Sequence, residues 1–153
     1  MAKTNQPPMF VRVGNAVTLT LLRAGFKLVG PFLVFGSYPM YLLTVPGRKS
    51  GQPRTVALAI MQRNGKRYVG SPYGIVDWVR NLRAAGEAML TRGRRSETIR
   101  ATELPPQEAA LVIREEIQVG NPFMKFYGVT AESSLEELER AASSHPLFLL
   151  EGK

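Results

Sequence analysis

The sequence predicts an α+β fold, mainly β, in which about six short strands form a closed or split β-barrel with helices on its outside. Three observations lead there. Most of the chain from residue 36 onward reads as short apolar runs, one after another, bounded by Gly, Pro and Asn. Asn64-Gly65 between two such runs is a strong tight-hairpin signal. Helical periodicity is confined to a few segments, each opened or closed by proline or glycine. The 153 residues suffice for one domain with a genuine core, and 44% apolar against 21% charged residues is an ordinary globular balance.

The elements follow in chain order. Residues 1–35 are expected to form a first, amphipathic helical segment. Phe10, Val13, Val17, Leu21 and Leu28 lie near one side, and Arg12, Arg23 and Lys27 supply cations before Gly30-Pro31 ends it. Three readings are open for it: a helix packed on the core, a lid over a ligand, or a peripheral membrane contact through residues 9–29. Its charges and Pro31 interrupt it too often for a spanning helix. The barrel domain then occupies residues 36–153. Strands are expected at 40–45, 55–62 and 67–71, with the Asn64-Gly65 turn between the last two. A helix at 76–85 ends at Gly86, and strands at 88–91 and 97–103 flank an Arg-Gly-Arg-Arg turn. Pro105-Pro106 opens an acidic helix to about residue 118. An aromatic loop at 123–127, a helix at 133–142 capped by Ser133 or Ser134, and a strand at 146–150 complete the chain.

Composition excludes several chemistries. Without cysteine there are no disulfides, cysteine–zinc sites, iron–sulfur ligands or thiol nucleophiles. A single histidine, His145, leaves little for a metal cluster or a Ser-His-Asp relay, so no metal is expected. Any catalysis would then depend on a reactive group brought by a cofactor. Charge is polarised: residues 1–100 hold 16 Lys+Arg against 3 acids, and residues 101–153 hold 4 against 9. The basic part favours an anionic partner, while the acidic part reads as ordinary helical surface. Nucleic acid is not the expected partner, because no recognised binding pattern accompanies the basic residues. No cleavable signal is apparent, and a cytoplasmic location is expected.

The densest chemistry lies at residues 46–54, Pro-Gly-Arg-Lys-Ser-Gly-Gln-Pro-Arg. Arg48, Lys49, Arg54, Ser50 and Gln52 sit there without an acid, on a bend imposed by glycine and proline. Such a loop between two strands suits a phosphate or a string of carboxylates; a solvated hairpin tip is the other reading. The 70–74 turn, Gly70-Ser71-Pro72-Tyr73-Gly74, leads into a helix N-terminus and suits a carbonyl or phosphate oxygen. Within that helix Trp78 and Leu82 share a face, as do Asp77 and Asn81. An amide there either fastens a loop or meets a ligand. Tyr127 belongs to an aromatic cover or to a plug of the barrel end, and His145 reads as structural.

Leu43-Thr44-x-x-Gly47-Arg48-Lys49-Ser50-Gly51-x-Pro53-Arg54, followed by a hairpin and Trp78-x-x-Asn81-Leu82-x-Ala84, resembles the deazaflavin-dependent nitroreductase family of actinobacterial oxidoreductases. The resemblance is strong over residues 41–103 and looser beyond. It implies a split barrel similar to the FMN-binding one, and coenzyme F420, an 8-hydroxy-5-deazaflavin with a ribityl phosphodiester and an oligoglutamate tail. It implies that Arg48, Lys49, Ser50 and Arg54, with Gln52, Pro53 and Thr55 beside them, hold the phosphate and tail. By the same resemblance Ala57 and Leu58 lie against the ring, and Gly70, Ser71, Pro72, Tyr73, Gly74, Trp78, Asn81 and Leu82 hold it. Tyr127 and Ser71 are the catalytic candidates. Hydride would pass to an electron-poor small molecule, such as a quinone, enone or nitro compound, in a monomer or homodimer. The alternative is a non-enzymatic binder of a fatty-acyl or similar apolar anion in the same barrel. The chain departs from better-known members in its Pro72-Tyr73 turn, in Gly86 after the helix, and in its single pocket tyrosine.

Overall fold

The computed structural model describes residues 38–153. The expectations for residues 1–35 fall outside them. Strands β1 (Met40–Pro46), β2 (Pro53–Ala59), β3 (Met61–Arg63) and β4 (Lys66–Gly70) precede helix α1 (Asp77–Ala85). Strands β5 (Glu87–Arg92) and β6 (Arg95–Glu103) follow, then helix α2 (Pro106–Gln118), a 3-10 turn (Pro122–Tyr127), helix α3 (Leu135–Ser144) and strand β7 (Leu147–Gly152). The strands form one sheet in the order β2-β1-β5-β6-β7-β4-β3, and every pairing is antiparallel.

The expected single strand at 55–62 is two strands, and the reason makes the barrel split. Ile60 is fully buried, and its N–H donates to the Pro39 carbonyl at 3.0 Å, outside either ladder. The chain bends there. Its two halves, β2 and β3, are separated by one residue in sequence yet occupy opposite ends of the sheet order. The sheet therefore curls until its ends meet at a covalent corner, without a closing ladder.

Local signals explain most of the rest. Asn64 (φ 50°) and Gly65 (φ 74°) both occupy the left-handed region that a two-residue hairpin loop requires. Gly86 ends α1 in the same region, its N–H bonded to the Leu82 carbonyl at 2.8 Å. Ser134 and Glu137 form a reciprocal capping box on α3.

Two cores result. Leu43, Val45, Val69, Leu90, Ile99 and Phe148 line the inner face of the curled sheet and meet Val79 and Leu82 from α1. Met61 and Leu147 pack instead with Ala109, Ala110 and Ile113 of α2, Met124 and Tyr127 of the 3-10 turn, and Leu138 and Ala142 of α3. No helix among the described residues is long and apolar enough to cross a membrane.

Candidate functional site

The basic loop, residues 47–52, hangs between the paired ends of β1 and β2, where Pro46 faces Pro53. It closes on itself. Gly47 N–H donates to the Gln52 carbonyl, Gly51 N–H to the Gly47 carbonyl, both at 2.8 Å, and Gln52 N–H to Ser50 Oγ at 3.2 Å. A Cβ at Gly47 would be tight against Ser50 Oγ, at 3.0 Å, and would touch the Gln52 carbonyl at 3.4 Å and Arg54 Nε at 3.5 Å. Arg54 therefore folds back across the loop base. Thr44 and Thr55 share a hydroxyl hydrogen bond of 2.9 Å just beneath it.

Helix α1 holds this loop from the side. Asn81 is 5% exposed, and its Oδ1 accepts both the Arg48 backbone N–H (3.1 Å) and Arg48 Nη1 (2.9 Å). Arg48 Nη2 reaches Asp77 Oδ1 at 3.2 Å, and Arg80 Nη1 lies 3.6 Å from the same oxygen. Of the two sequence readings of Asn81, fastening a loop is realised. Arg48 is thus occupied by protein, whereas Lys49 and Arg54 are exposed and have no ion pair among the described residues. At its other end α1 is anchored to β6 by a two-pronged Arg83–Glu103 pair at 2.8 and 2.6 Å.

The 70–74 turn gathers a second group. Ser71 is 1% exposed; its N–H donates to the Pro146 carbonyl and its hydroxyl to the Gly74 carbonyl. Tyr127, 4% exposed, stacks on His145 with centroids 4.8 Å apart, and its hydroxyl abuts Gly70. Half-buried Tyr73 meets Phe126 at 5.3 Å between ring centroids. Pro72 and Gly74 lie in the same turn, which runs into the N-terminus of α1. The loop and the turn therefore flank α1, the loop along its Asp77–Asn81 side.

Four expected site residues are placed by the strand and helix periods in ways that sequence left unresolved. Ala57 and Leu58, adjacent on β2, point to opposite faces. Leu58 packs on the inner core, while Ala57 joins Leu42 and Met40 on the other face, so the pair cannot lie against one planar ring. Leu82 is wholly enclosed in the inner core, which makes its part packing. Trp78 leans on that core too, 6.1 Å from Phe148, but stays half-buried.

The acidic part of the chain also hides a polar group that composition assigned to surface. Glu116, on α2, is fully buried. Its Oε2 accepts Tyr38 Oη–H (2.6 Å) and Asn121 Nδ2–H (2.7 Å), and its Oε1 stands 2.9 Å from Arg63 Nε in an ionic contact that is not aligned as a hydrogen bond. Arg63 Nη2 also donates to Tyr38 Oη at 3.2 Å. Beside this cluster Tyr38, Pro39, Ile60, Gln62, Arg63 and Val119 line a groove of about 480 Å³. The available signal was position: Glu116 follows Ala109 and Ile113 along the apolar stripe of α2.

Burial, the hydrogen bond to Glu116 and that carboxylate's charge push the Tyr38 phenol up to about 12. Burial, then Glu116, raises Tyr127 as well. An unfolded chain releases phenolic protons near about pH 10. The stabilising protonated forms are therefore complete below that value, and stability falls as pH rises from about 10 through about 12. Thermal unfolding should show a flat midpoint up to about pH 9 and then a decline, shallower in Tyr127→Phe. A pH-independent midpoint to pH ~12 would contradict it.

A sequence profile described as F420H(2)-dependent quinone reductase matches residues 23–131. No curated protein sequence matches the chain. Among solved structures, an F420-H2 dependent reductase (FDR-A) is 22% identical, with a TM-score of 0.53 over 74% of this chain and 94% of its own. A domain-swapped dimer is 21% identical, with a TM-score of 0.55 over 93% and 97%. A protein of unknown function from Agrobacterium tumefaciens, Atu2129, is 16% identical, with a TM-score of 0.51 over 99% of this chain and 57% of its own. These likenesses fit the split sheet described above.

Proposed function

The chain belongs to the F420H(2)-dependent quinone reductase family, and on that premise we propose that it reduces a quinone-type acceptor with coenzyme F420 bound along the basic loop, the α1 side and the 70–74 turn. The observation that carries the proposal is the loop's donor set. Lys49 on the loop and Arg54 at its base are exposed cations without ion-pair partners among the described residues, and the loop's own hydrogen bonds and α1 fix its shape. That set suits an extended polyanion such as a phosphodiester with a glutamate tail.

Lys49 and Arg54 would supply charge, Ser50, Gln52 and Thr55 polar contacts, and Pro53 the fixed exit of the loop. Gly70, Pro72, Tyr73 and Gly74 would border the ring, with half-buried Trp78 as an apolar wall. When bound, the reduced deazaflavin supplies a hydride to an electron-poor acceptor. The protein's share is orientation and exclusion of water. Ser71 and Tyr127 enter as orienting groups: the Ser71 proton is committed to the Gly74 carbonyl, and Tyr127 is enclosed. A dimer is the proposed assembly, by analogy with the dimeric structural neighbour.

Oxidation of reduced F420 by a panel of quinones, enones and nitro compounds tests this. Quinone-dependent turnover is expected, and no turnover with any acceptor would contradict it. Lys49→Ala should weaken F420 binding by about 1–3 kcal/mol through loss of a charge-assisted contact. An unchanged affinity would remove Lys49 from the site.

A further inference from the structure

We propose that Asn81 and Arg48 act together as a strut that sets the shape of the anion-binding loop, and that Arg48 itself does not neutralise the bound anion. This rests on the cofactor reading above and divides its residues into two roles. A single buried oxygen, Asn81 Oδ1, receives both the main chain and the side chain of Arg48, at 3.1 and 2.9 Å. The third contact, to Asp77 Oδ1 at 3.2 Å, turns the guanidinium toward α1 and partly compensates its charge. Loop and helix, 33 positions apart in sequence, are thereby locked in one register.

The loop amides of Gly47, Arg48, Gly51 and Gln52 donate within the protein. Lys49 and Ser50 stand at the tip between them, and Arg54 lies folded at the base beside Gly47. The cations left for an anion are Lys49 and Arg54. The two roles differ in salt dependence. A residue that neutralises ligand charge contributes a screened attraction, so its loss flattens the dependence of affinity on ionic strength. Loss of a strut reduces the fraction of loops already in binding shape, which lowers affinity at every salt concentration alike.

The experiment compares wild type, Asn81→Leu, Asn81→Asp, Arg48→Met and Lys49→Ala. Amide exchange of the Arg48 N–H is followed by NMR without cofactor, and F420 affinity is measured by fluorescence across a salt series. Asn81→Leu should accelerate Arg48 amide exchange and raise the F420 dissociation constant, each about tenfold, with the salt slope of wild type. Asn81→Asp keeps the acceptor oxygens and should restore both. Arg48→Met, on an exposed loop, should weaken binding without changing the slope, whereas Lys49→Ala should flatten it. A slope flattened by Arg48→Met as much as by Lys49→Ala would overturn the proposal, as would unchanged amide exchange in Asn81→Leu. Should wild type not bind F420, the cofactor reading fails, and the amide rates alone decide for or against the strut.

Discussion

Replacing Glu116 by alanine should destabilise the fold by about 3–5 kcal/mol, the range for breaking a buried ion pair from one side. The carboxylate is fully buried and binds groups from three places in the chain: it accepts hydrogen bonds from Tyr38 ahead of β1 and Asn121 before the 3-10 turn, and pairs ionically with Arg63 at the end of β3. Without it, the Tyr38 hydroxyl and the Asn121 amide lose their acceptor, and the Arg63 guanidinium, 27% exposed, loses its counter-charge. Glu116→Gln keeps the shape but turns an NH₂ group toward a guanidinium, so it should recover only part of the loss. Tyr38→Phe removes one hydrogen bond and leaves the Asn121 bond and the Arg63 ion pair, which makes it the mildest of the three. Urea unfolding midpoints in the order wild type, Tyr38→Phe, Glu116→Gln, Glu116→Ala are expected, with equal slopes. A neutral Glu116→Ala would show that the cluster is not holding α2, β3 and the 3-10 turn together.

The second large effect belongs to Gly70→Ala. The Cβ would overlap the Tyr127 hydroxyl, with Met61 Cε at 3.5 Å and Leu147 Cγ at 3.7 Å limiting retreat. Overpacking of this kind costs about 1–3 kcal/mol, and a stiff, enclosed ring favours the upper end. The hydroxyl alone makes the overlap, so Tyr127→Phe in the same chain should recover most of the loss. Tyr127→Phe by itself is expected to change stability by less than about 1 kcal/mol. The coupling in that double-mutant cycle is the measurement. Additive effects would mean that glycine is required at position 70 for another reason.

Much of the fold was legible because it is written locally. Asn64-Gly65 carries its own backbone requirement, Gly86 marks the end of α1 by chirality, and the alternation of Leu43 and Val45 or Ile99 and Ala101 sets strand faces. The break at Ile60 was not legible. Residues 55–62 alternate as one strand would, and only the Pro39 carbonyl waiting for the Ile60 N–H makes the corner. The same holds for the site. The basic loop was visible as a charge cluster, but which cation is free depends on Asn81, a partner 33 residues away. The charge sum of the acidic segment points to surface and does not single out Glu116. Its burial depends on Tyr38, 78 positions earlier. Ala57 and Leu58 sit side by side in sequence, but the strand period of two puts them on opposite faces.

Titration of the purified chain with coenzyme F420, followed by deazaflavin fluorescence, tests the central claim most directly. A polyanion meeting Lys49 and Arg54 on a preformed loop should saturate the protein with a dissociation constant below about tens of micromolar, weakening as salt is added. No binding up to that concentration at low ionic strength would contradict the assignment of the loop as the cofactor clamp.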